Sequence, residues 1–299
     1  MEHIKLGKYN QLEVLRKTDF GVYLDGKDDG DILLPLKEVP EGTEEGDVLN
    51  VFIYLDQQER LIATTIVPKV QVGRFACLEV SWVNEYGAFL DWGLMKDLFV
   101  PFREQKAKMK VGGHYVIYCY EDKQTHRITA SAKIEHFLAQ APISSYEPGD
   151  EVDLLIWQQT DLGYKVIIDN TYGGLIYENE IFTPVETGEF TTGYIKQVRE
   201  DGKIDVALQP SGRANVVSFS DKLLAYLKEH DGHTTFNDHS PADAIGREFG
   251  VSKKTFKKGV GELYKKHLIE VTDNGLSLVK HAPKRHLKPN RGPFSRKSD

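Results

Sequence analysis

Two short stretches of the sequence place an aromatic residue on each side of a glycine. They are TDFGVYLD at residues 18–25 and NEYGAFLD at residues 84–91. A basic residue, Arg60 or Arg127, follows each glycine by 39 or 40 residues. Exposed aromatic rings can stack on flat π systems, and a guanidinium group can pair with phosphate. The four rings are Phe20, Tyr23, Tyr86 and Phe89.

These stretches belong to an internal repeat that occurs three times along the chain. The third copy, TDLGYKVIID from Thr160, keeps the glycine as Gly163 but carries Leu162 and Lys165 where the other copies carry rings. A basic residue, Lys203, again precedes the last strand-like run. The copies are spaced by 66 and 76 residues, which suits small domains. The residues 14 positions after the three glycines are Pro35, Pro101 and Tyr177.

Each copy contains five short runs of strand-forming residues. In the first copy they are YNQLEVLRKT, FGVYLDG, GDILLPL, GDVLNVFIYLD and RLIATTI. Five short antiparallel strands in about 60 residues predict a closed OB-type barrel, and such barrels bind oligonucleotides on the face of strands 2 and 3. The central glycine is expected where strand 2 bends, and the bend brings both rings to that outer face. The alternative is that one or both rings lie in the core.

The sequence after the third copy is typical of a winged helix. Residues 218–232 have the pattern of an amphipathic helix, and residues 240–279 indicate helix, turn, helix and hairpin. Ser240 and Ser252 are expected to cap the last two helices, and Gly250 to end the first of them. An Asn-Gly pair between two β runs predicts the hairpin. We therefore predict a mostly β protein with three tandem OB barrels and a C-terminal α/β winged-helix domain.

The predicted recognition helix, residues 253–267, separates apolar from basic residues. Phe256 and Val260 fall on one face, and three lysines fall on the opposite face with no acid to balance them. Gly259 and Gly261 would let a nucleic-acid backbone come close to the helix. We predict phosphate contacts here, and the alternative is that the lysines are only solvated. They are Lys254, Lys258 and Lys265.

The charge of the chain is divided between its two parts. The net charge is −7, yet residues 1–209 hold 21 Lys and Arg against 35 Asp and Glu, and residues 210–299 hold 17 against 10. A basic C-terminal part behind an acidic N-terminal part indicates that the basic end meets a polyanion. Residues 282–299 are expected to form a disordered basic tail.

Composition and motifs favour a cytoplasmic protein without catalytic activity. The apolar runs are far shorter than a membrane span, and the N-terminus lacks the apolar region of a signal peptide. Cys77 and Cys119 are expected to be reduced thiols. Walker-type loops, Gly-x-Ser-x-Gly and His-Glu-x-x-His are all missing from the sequence. We expect no enzyme activity, no cofactor, no metal, no membrane contact and no small-molecule substrate.

The element of aromatic, glycine, small residue and aromatic resembles the S1 RNA-binding motif. In that family two aromatics of this element, a residue after the following strand and an Asp-x3-Arg pair near the fifth strand contact RNA. The resemblance implies that the first two copies bind RNA, and that the third is structural unless Tyr177 and Lys203 compensate for its missing rings. The implied contacts are Phe20, Tyr23, Asp56 and Arg60 in the first copy and Tyr86, Phe89 and Arg127 in the second.

Two departures from the S1 pattern concern polar contacts. Pro35 and Pro101 stand where the family carries a histidine. Asp122 lies one residue further from Arg127 than the Asp-x3-Arg pattern requires. One contact per copy is therefore expected to be weaker than in the family.

The order of modules is similar to that of the conserved virulence factor B family of bacterial RNA-binding proteins. The resemblance covers about residues 4–280 and implies single-stranded RNA binding with a role in post-transcriptional regulation. A DNA-binding transcription regulator and a protein–protein adaptor stay open as alternatives, with duplex DNA, the ribosome or RNA-processing proteins as partners. The expected domains are barrels at 1–67, 68–146 and 147–210, the winged helix at 211–281 and the tail.

Overall fold

The computed structural model describes residues 3–210 and 213–279, so the predicted basic tail at 282–299 lies outside the described residues. The chain divides into two compact units after Gln209. The first unit contains three closed five-stranded barrels, and the second contains helices and a three-stranded sheet. The predicted fold class is confirmed. Among the described helices, none combines the length and apolarity needed to cross a membrane.

The first barrel shows the topology that all three share. Its strands follow the order β1-β2-β3-β5-β4, and β4 pairs again with β1 to close the barrel. The expectation of purely antiparallel strands is wrong for one pair, because β3 and β5 run parallel with Leu33 opposite Ile62. A closed ring of five strands cannot alternate in direction all the way round. The strands are β1 (Tyr9–Thr18), β2 (Gly21–Asp25), β3 (Asp31–Pro35), β4 (Val48–Leu55) and β5 (Leu61–Thr64).

The second and third barrels repeat this arrangement. Each has one parallel pair, β8 with β10 and β13 with β15. The strands of the second barrel are β6 (Arg74–Val83), β7 (Gly87–Leu90), β8 (Leu98–Pro101), β9 (His114–Glu121) and β10 (Ile128–Ser131). Those of the third are β11 (Glu151–Thr160), β12 (Gly163–Ile168), β13 (Tyr172–Tyr177), β14 (Phe190–Val198) and β15 (Ile204–Ala207).

A β-bulge lies at the same place in the first strand of each barrel. In the first barrel the register shifts between Val14 and Arg16, which sets Arg16 opposite Tyr23. A bulge of this kind adds a residue to one strand and turns the next side chain to another face. The shift therefore decides which side chain lies beside the second aromatic position. The corresponding pairs are Trp82 with Phe89 in the second barrel and Gln158 with Lys165 in the third.

The central glycines are required by the close approach of the neighbouring strand. A Cβ atom on Gly21 would lie 2.0 Å from the carbonyl oxygen of Leu34, and one on Gly87 would lie 2.3 Å from that of Val100. Any larger residue would push β3 or β8 away from its partner. In the first barrel, Phe20 on one side of the glycine is 76% exposed.

The barrels of the first unit pack against one another through apolar side chains. Phe52 of the first barrel meets the ring of Trp92 at 5.8 Å between centroids. Trp157 on the outer side of the third barrel is buried in a cluster with Phe75 of the second barrel. The side chain of Asn170 accepts a hydrogen bond of 2.8 Å from the backbone N–H of Phe75. The third barrel thus uses part of its outer surface for packing.

The second unit has the arrangement of a winged helix. Its sheet has the strand order β16-β18-β17, and its core is formed by apolar residues of all three helices. None of the side chains at residues 211–215 and 218 is described. The elements are α1 (Arg213–Glu229), β16 (His233–Thr234), α2 (Ala242–Phe249), α3 (Lys253–Lys265), β17 (Ile269–Thr272) and β18 (Gly275–Leu278).

The predicted helix caps are confirmed in part. The hydroxyl of Ser252 accepts a hydrogen bond from the backbone N–H of Thr255, and Gly250 ends α2 in the left-handed conformation with φ of 65°. The prediction for Ser240 is wrong, because Pro241 occupies the N-cap position and the Ser240 hydroxyl accepts a bond from Asn237 instead. The loop of the hairpin is Asp273–Asn274 rather than Asn-Gly, since Gly275 already pairs with Thr272 in the ladder.

Candidate nucleic-acid interface

The outer face of the second barrel carries a pocket of about 640 Å³. Three side chains that the sequence predicts as contacts, Tyr86, Phe89 and Arg127, all line it. They come from the turn before β7, from β7 and from the residue before β10. The fold therefore brings together residues that are up to 41 positions apart in the sequence. Phe99 and Arg103 complete the aromatic and basic parts of the lining.

The rings of this pocket form a stack with one exposed neighbour. Phe89 lies parallel to Trp82, with centroids 3.7 Å apart, and the tilted ring of Phe99 lies 4.9 Å from that of Phe89. The indole Nε1–H of Trp82 donates a hydrogen bond of 2.8 Å to Asp97. Among the described residues Tyr86 has no stacked partner, and its side chain is 67% exposed. One face of Phe89 is covered, so Tyr86 is the ring most accessible to a ligand.

Trp82 and Phe99 are functional candidates that the sequence analysis missed. Trp82 does not line the pocket itself, but the bulge in β6 sets it opposite Phe89, on which its ring stacks. Phe99 lies on β8, directly opposite Phe89 in the antiparallel ladder. Isolated aromatic residues in strands of this kind look like ordinary core from the sequence. The regular spacing of the repeat offers one clue, since Arg16 stands at the position of Trp82 in the first barrel.

The two guanidinium groups of the pocket, those of Arg127 and Arg103, are each paired with a carboxylate. The guanidinium of Arg127 donates bonds of 2.9 and 2.6 Å, from Nε and Nη2, to Glu59 of the first barrel. Arg103 donates a bond of 3.0 Å to Asp122. The side-chain pair of Asp122 with Arg127 that the S1 pattern implies is not formed, because only their backbones bond. The carboxylate of Asp122 instead accepts hydrogen bonds from the backbone of its own turn.

The environment of Asp122 keeps its carboxylate charged. Its pKa is lowered first by a hydrogen bond from the backbone N–H of Gln124 and then by those from Thr125 and Arg103. The Gln124 bond is 2.8 Å long. Donors that point at a carboxylate favour its ionised form. Asp122 is thus a fixed negative group at the edge of the pocket, with Arg103 as its counter-ion.

The first barrel presents the same positions in a more open form. Phe20 is exposed, and the guanidinium of Arg16 covers the ring of Tyr23 at 4.2 Å. Asp56 and Arg60 form a pair, with bonds of 2.9 and 2.7 Å from Nε and Nη2 to one carboxylate oxygen. Burial would raise the pKa of Asp56, but the backbone and side-chain hydrogen bonds of Arg60 and Gln58 lower it. Arg60 is therefore partly neutralised before any ligand arrives.

The third barrel has replaced the ring positions by other contacts. Leu162 is exposed, and the ammonium of Lys165 lies 5.0 Å from the ring of Trp157 and 3.7 Å from Glu135. The hydroxyl of Tyr177 accepts a hydrogen bond from Arg199, which also pairs with a buried aspartate. Lys203 forms an ion pair of 2.9 Å with Asp201. The compensating residues Tyr177 and Lys203 are thus both engaged within the barrel.

The lysine face of α3 is exposed, as the sequence predicts. Lys254, Lys258 and Lys265 are exposed, and within residues 3–210 and 213–279 none of them forms an ion pair. Gly259 is explained by packing within the domain rather than by the approach of a ligand, because a Cβ there would lie 2.4 Å from the ring of Phe219 on α1. Tyr264 lies beside these lysines and is also exposed. The helix therefore presents a basic surface with one aromatic residue.

Comparison with known proteins gives matches along almost the whole chain. A family model for the S1 domain matches residues 6–66, and one for the CvfB-like winged helix domain matches residues 221–278. The uncharacterized protein YitL of Bacillus subtilis is 30% identical over 278 residues, which cover 88% of this chain and 90% of YitL. Conserved virulence factor B of Staphylococcus aureus is 23% identical over 92% of this chain and 94% of its own.

A solved structure from Streptococcus pneumoniae is described as a multidomain protein with nucleic acid binding domains. It is 23% identical and covers 92% of this chain and 98% of its own, with a TM-score of 0.43. The assignment of a family rests on the sequence matches instead. A relative at 30% identity spans nearly the whole chain, and the two matching domain models agree with the first barrel and the winged helix of the structure. The chain therefore belongs to the conserved virulence factor B family of S1 and winged-helix proteins.

Proposed function

We propose that this chain is a non-enzymatic, cytoplasmic protein that binds single-stranded RNA and regulates gene expression after transcription. The observation that carries the proposal is the pocket of the second barrel, which is lined by the exposed Tyr86 and by Phe89, whose ring stacks on Trp82. Arg127 and Arg103 lie in the same pocket. Rings for bases and guanidinium groups for phosphates are the parts that a single-strand binding site requires.

The energetics of stacking support a single-stranded ligand. An aromatic side chain that stacks on a base contributes about 1–3 kcal/mol, and every base offers a π face. In a duplex the bases already stack on one another, so this contribution is available only from unpaired strands. The volume of the pocket, about 640 Å³, falls in the range of sites that hold a nucleotide-sized group.

The other modules support the second barrel in different ways. The exposed Phe20 offers a further stacking surface on the first barrel, with Arg60 as its basic residue. The third barrel is proposed to be structural, because it lacks both rings and packs part of its outer surface on the second barrel. The lysines of α3 are proposed to bind phosphates without discriminating between RNA sequences.

The test compares binding of labelled single-stranded RNA, single-stranded DNA and duplex DNA at one salt concentration. Tyr86→Ala combined with Phe89→Ala is expected to weaken RNA binding by about 1–3 kcal/mol for each lost stack. Leu162→Ala is the matched control, since it removes an exposed residue at the equivalent position of the third barrel. Unchanged RNA affinity in a folded double variant would contradict the proposal.

The exposed lysine face of α3 favours a second candidate, a winged helix that binds duplex DNA. A recognition helix with basic residues is the usual means by which such domains enter the major groove. Tighter binding of the wild-type chain to duplex DNA than to either single strand would favour this candidate. Binding to no nucleic acid at all would favour a protein adaptor.

A further inference from the structure

The pocket of the second barrel is not built by that barrel alone. Leu55 and Glu59 of the first barrel line it, next to Phe89 and Arg127 of the second. Leu55 is the last residue of β4, and Glu59 lies in the turn that connects β4 to β5. A ligand that enters the pocket therefore contacts two barrels at once, and the first barrel contributes a carboxylate next to the guanidinium of Arg127.

The carboxylate of Glu59 occupies the donors of Arg127 that a phosphate would use. One oxygen, Oε2, accepts bonds from both Nε and Nη2 of the guanidinium at 2.9 and 2.6 Å. Carboxylate and phosphate bind this fork of donors in the same geometry. A nucleic-acid phosphate and Glu59 therefore compete for one position.

Backbone contacts of the turn bring Glu59 to this position. The backbone N–H of Glu59 donates to the carbonyl oxygen of Asp56 at 3.1 Å, and Glu59 itself has φ of 63°. The ammonium of Lys96, from the second barrel, donates to the same carbonyl oxygen at 2.8 Å. The turn is thus bonded to the second barrel at a point separate from the Arg127 pair.

The two guanidinium groups of the pocket differ in how exposed their carboxylate partners are. The side chain of Glu59, the partner of Arg127, is 43% exposed, whereas that of Asp122, the partner of Arg103, is 11% exposed. An ion pair that faces solvent adds little to stability and opens at small cost. Asp122 is additionally bonded to the backbone of its own turn. Arg127 is therefore the guanidinium that a ligand can take over.

We propose that Glu59 is an electrostatic latch on the second barrel's binding site. In the free protein the Glu59 carboxylate occupies the donors of Arg127 to which a phosphate would bind. A phosphodiester strand binds by displacing this carboxylate. The inference rests on the proposed function and adds to it an inter-barrel contact that limits affinity. Because one anion replaces another on Arg127, this contact releases no counterion in the wild-type chain. Occupancy of the pocket also frees the β4–β5 turn of the first barrel from its contact with Arg127, while the bond from Lys96 to the carbonyl oxygen of Asp56 is kept.

The experiment measures single-stranded RNA binding by the full chain with Glu59→Gln. The neutral amide leaves Arg127 uncompensated, so affinity is expected to rise about two- to fivefold, the range of an exposed ion pair. The slope of log affinity against log salt is expected to steepen by about 0.7, the value for one additional phosphate contact on a single strand. Glu79→Gln is the matched control, because it removes one exposed charge from β6, where the carboxylate lies 3.9 Å from His114.

A double variant shows whether the effect acts through Arg127. Adding Arg127→Ala to Glu59→Gln is expected to abolish both the gain in affinity and the steeper slope. Unchanged or weaker RNA binding by Glu59→Gln would overturn the latch, since Glu59 would then only position Arg127. If the wild-type chain binds RNA through Tyr86 and Phe89 in that case, the proposed function stands and the latch alone fails. If no variant binds RNA, both fail.

Discussion

Trp82 and Phe89 lie face to face on neighbouring strands of the second barrel, with ring centroids 3.7 Å apart and ring planes within 2° of parallel. The bulge in β6 sets the two residues opposite each other, and a hydrogen bond to Asp97 fixes the indole. The ring of Phe99 lies 4.9 Å from that of Phe89 and is tilted against it by 36°. Three rings thus form a rigid platform beside the exposed Tyr86.

Removing Trp82 is therefore expected to weaken RNA binding even if Trp82 touches no base. Trp82→Ala deletes the ring that supports Phe89, and an aromatic pair of this kind contributes about 0.5–1.5 kcal/mol. Trp82→Phe keeps a stacking ring and loses only the bond to Asp97, so its affinity is expected to fall less. Binding titrations with labelled single-stranded RNA test this order. Equal affinities for the two variants would mean that the platform does not depend on the Trp82 ring.

Two glycines on α3 are expected to respond in opposite ways to replacement by alanine. At Gly259 a Cβ would lie 2.4 Å from the ring of Phe219, and overpacking of a core costs about 1–3 kcal/mol. An added Cβ on Gly261 would meet no described atom within 4 Å outside the backbone of its own helix, so Gly261→Ala gains helix propensity of about 1 kcal/mol. The three described α-helices all belong to the winged helix, so the helical circular dichroism band follows its unfolding. If Gly259→Ala instead stabilised the winged helix, the close packing of Gly259 against Phe219 would be contradicted.

The repeat made most of the fold predictable from the sequence. The three glycines and their landmarks located the barrels, and caps such as Ser252 located a helix of the second unit. The parallel pair of β3 and β5 was not predicted, since strand runs carry no information on direction. The predicted cap at Ser240 was wrong for a different reason. The Ser240 hydroxyl accepts a local hydrogen bond from Asn237, and such a bond competes with capping.

The candidate site was predictable only where its residues belong to the repeated element. Tyr86 and Phe89 flank a landmark glycine, and they line one pocket with Arg127. Trp82 could not be assigned, because a bulge breaks the period of two and its position depends on tertiary structure. Glu59 could not be assigned either, since it reaches the pocket from another barrel. The contacts of these residues with RNA stay a prediction.

Acid is expected to remove the contribution of Asp122 to the stability of the barrels. The pKa of this carboxyl is lowered in the folded chain from a usual value of 3.8, foremost by the backbone bond from Gln124. A lowered pKa stabilises the fold above the unfolded value, and that contribution is lost as the pH falls through the folded value. Asp122→Asn should thus be less stable than the wild-type chain at neutral pH, with a difference that shrinks below pH of about 4.

Tryptophan fluorescence measures this difference, because Trp82, Trp92 and Trp157 all lie in the second and third barrels. Urea unfolding would be followed at pH values on both sides of the usual carboxyl range. Glu79→Gln serves as the control for the loss of an exposed carboxylate. A difference between the wild-type chain and Asp122→Asn that grows in acid would contradict the assigned hydrogen bonds.

The lysines of α3 are expected to determine much of the salt dependence of RNA binding. Each lysine that neutralises a phosphate releases a counterion, which contributes about 0.7 to the slope of log affinity against log salt for a single strand. Replacing Lys254, Lys258 and Lys265 by alanine should therefore lower the slope by roughly 2. Preference among RNA sequences should change little, because phosphate contacts carry no base information. A matched control replaces three exposed lysines elsewhere, Lys110, Lys222 and Lys228.

The two triple variants have equal net charge, so a difference between them isolates position from charge. If both variants lower the slope equally, the effect comes from overall charge, and the lysine face of α3 is not a binding surface. If the α3 variant keeps both slope and affinity, the face is solvated or docks a protein, and the adaptor hypothesis gains. A variant that instead loses discrimination among sequences would show contact with base edges. Only a loss of slope specific to α3, with sequence preference retained, fits a winged helix that holds the RNA backbone while the barrel rings stack on its bases.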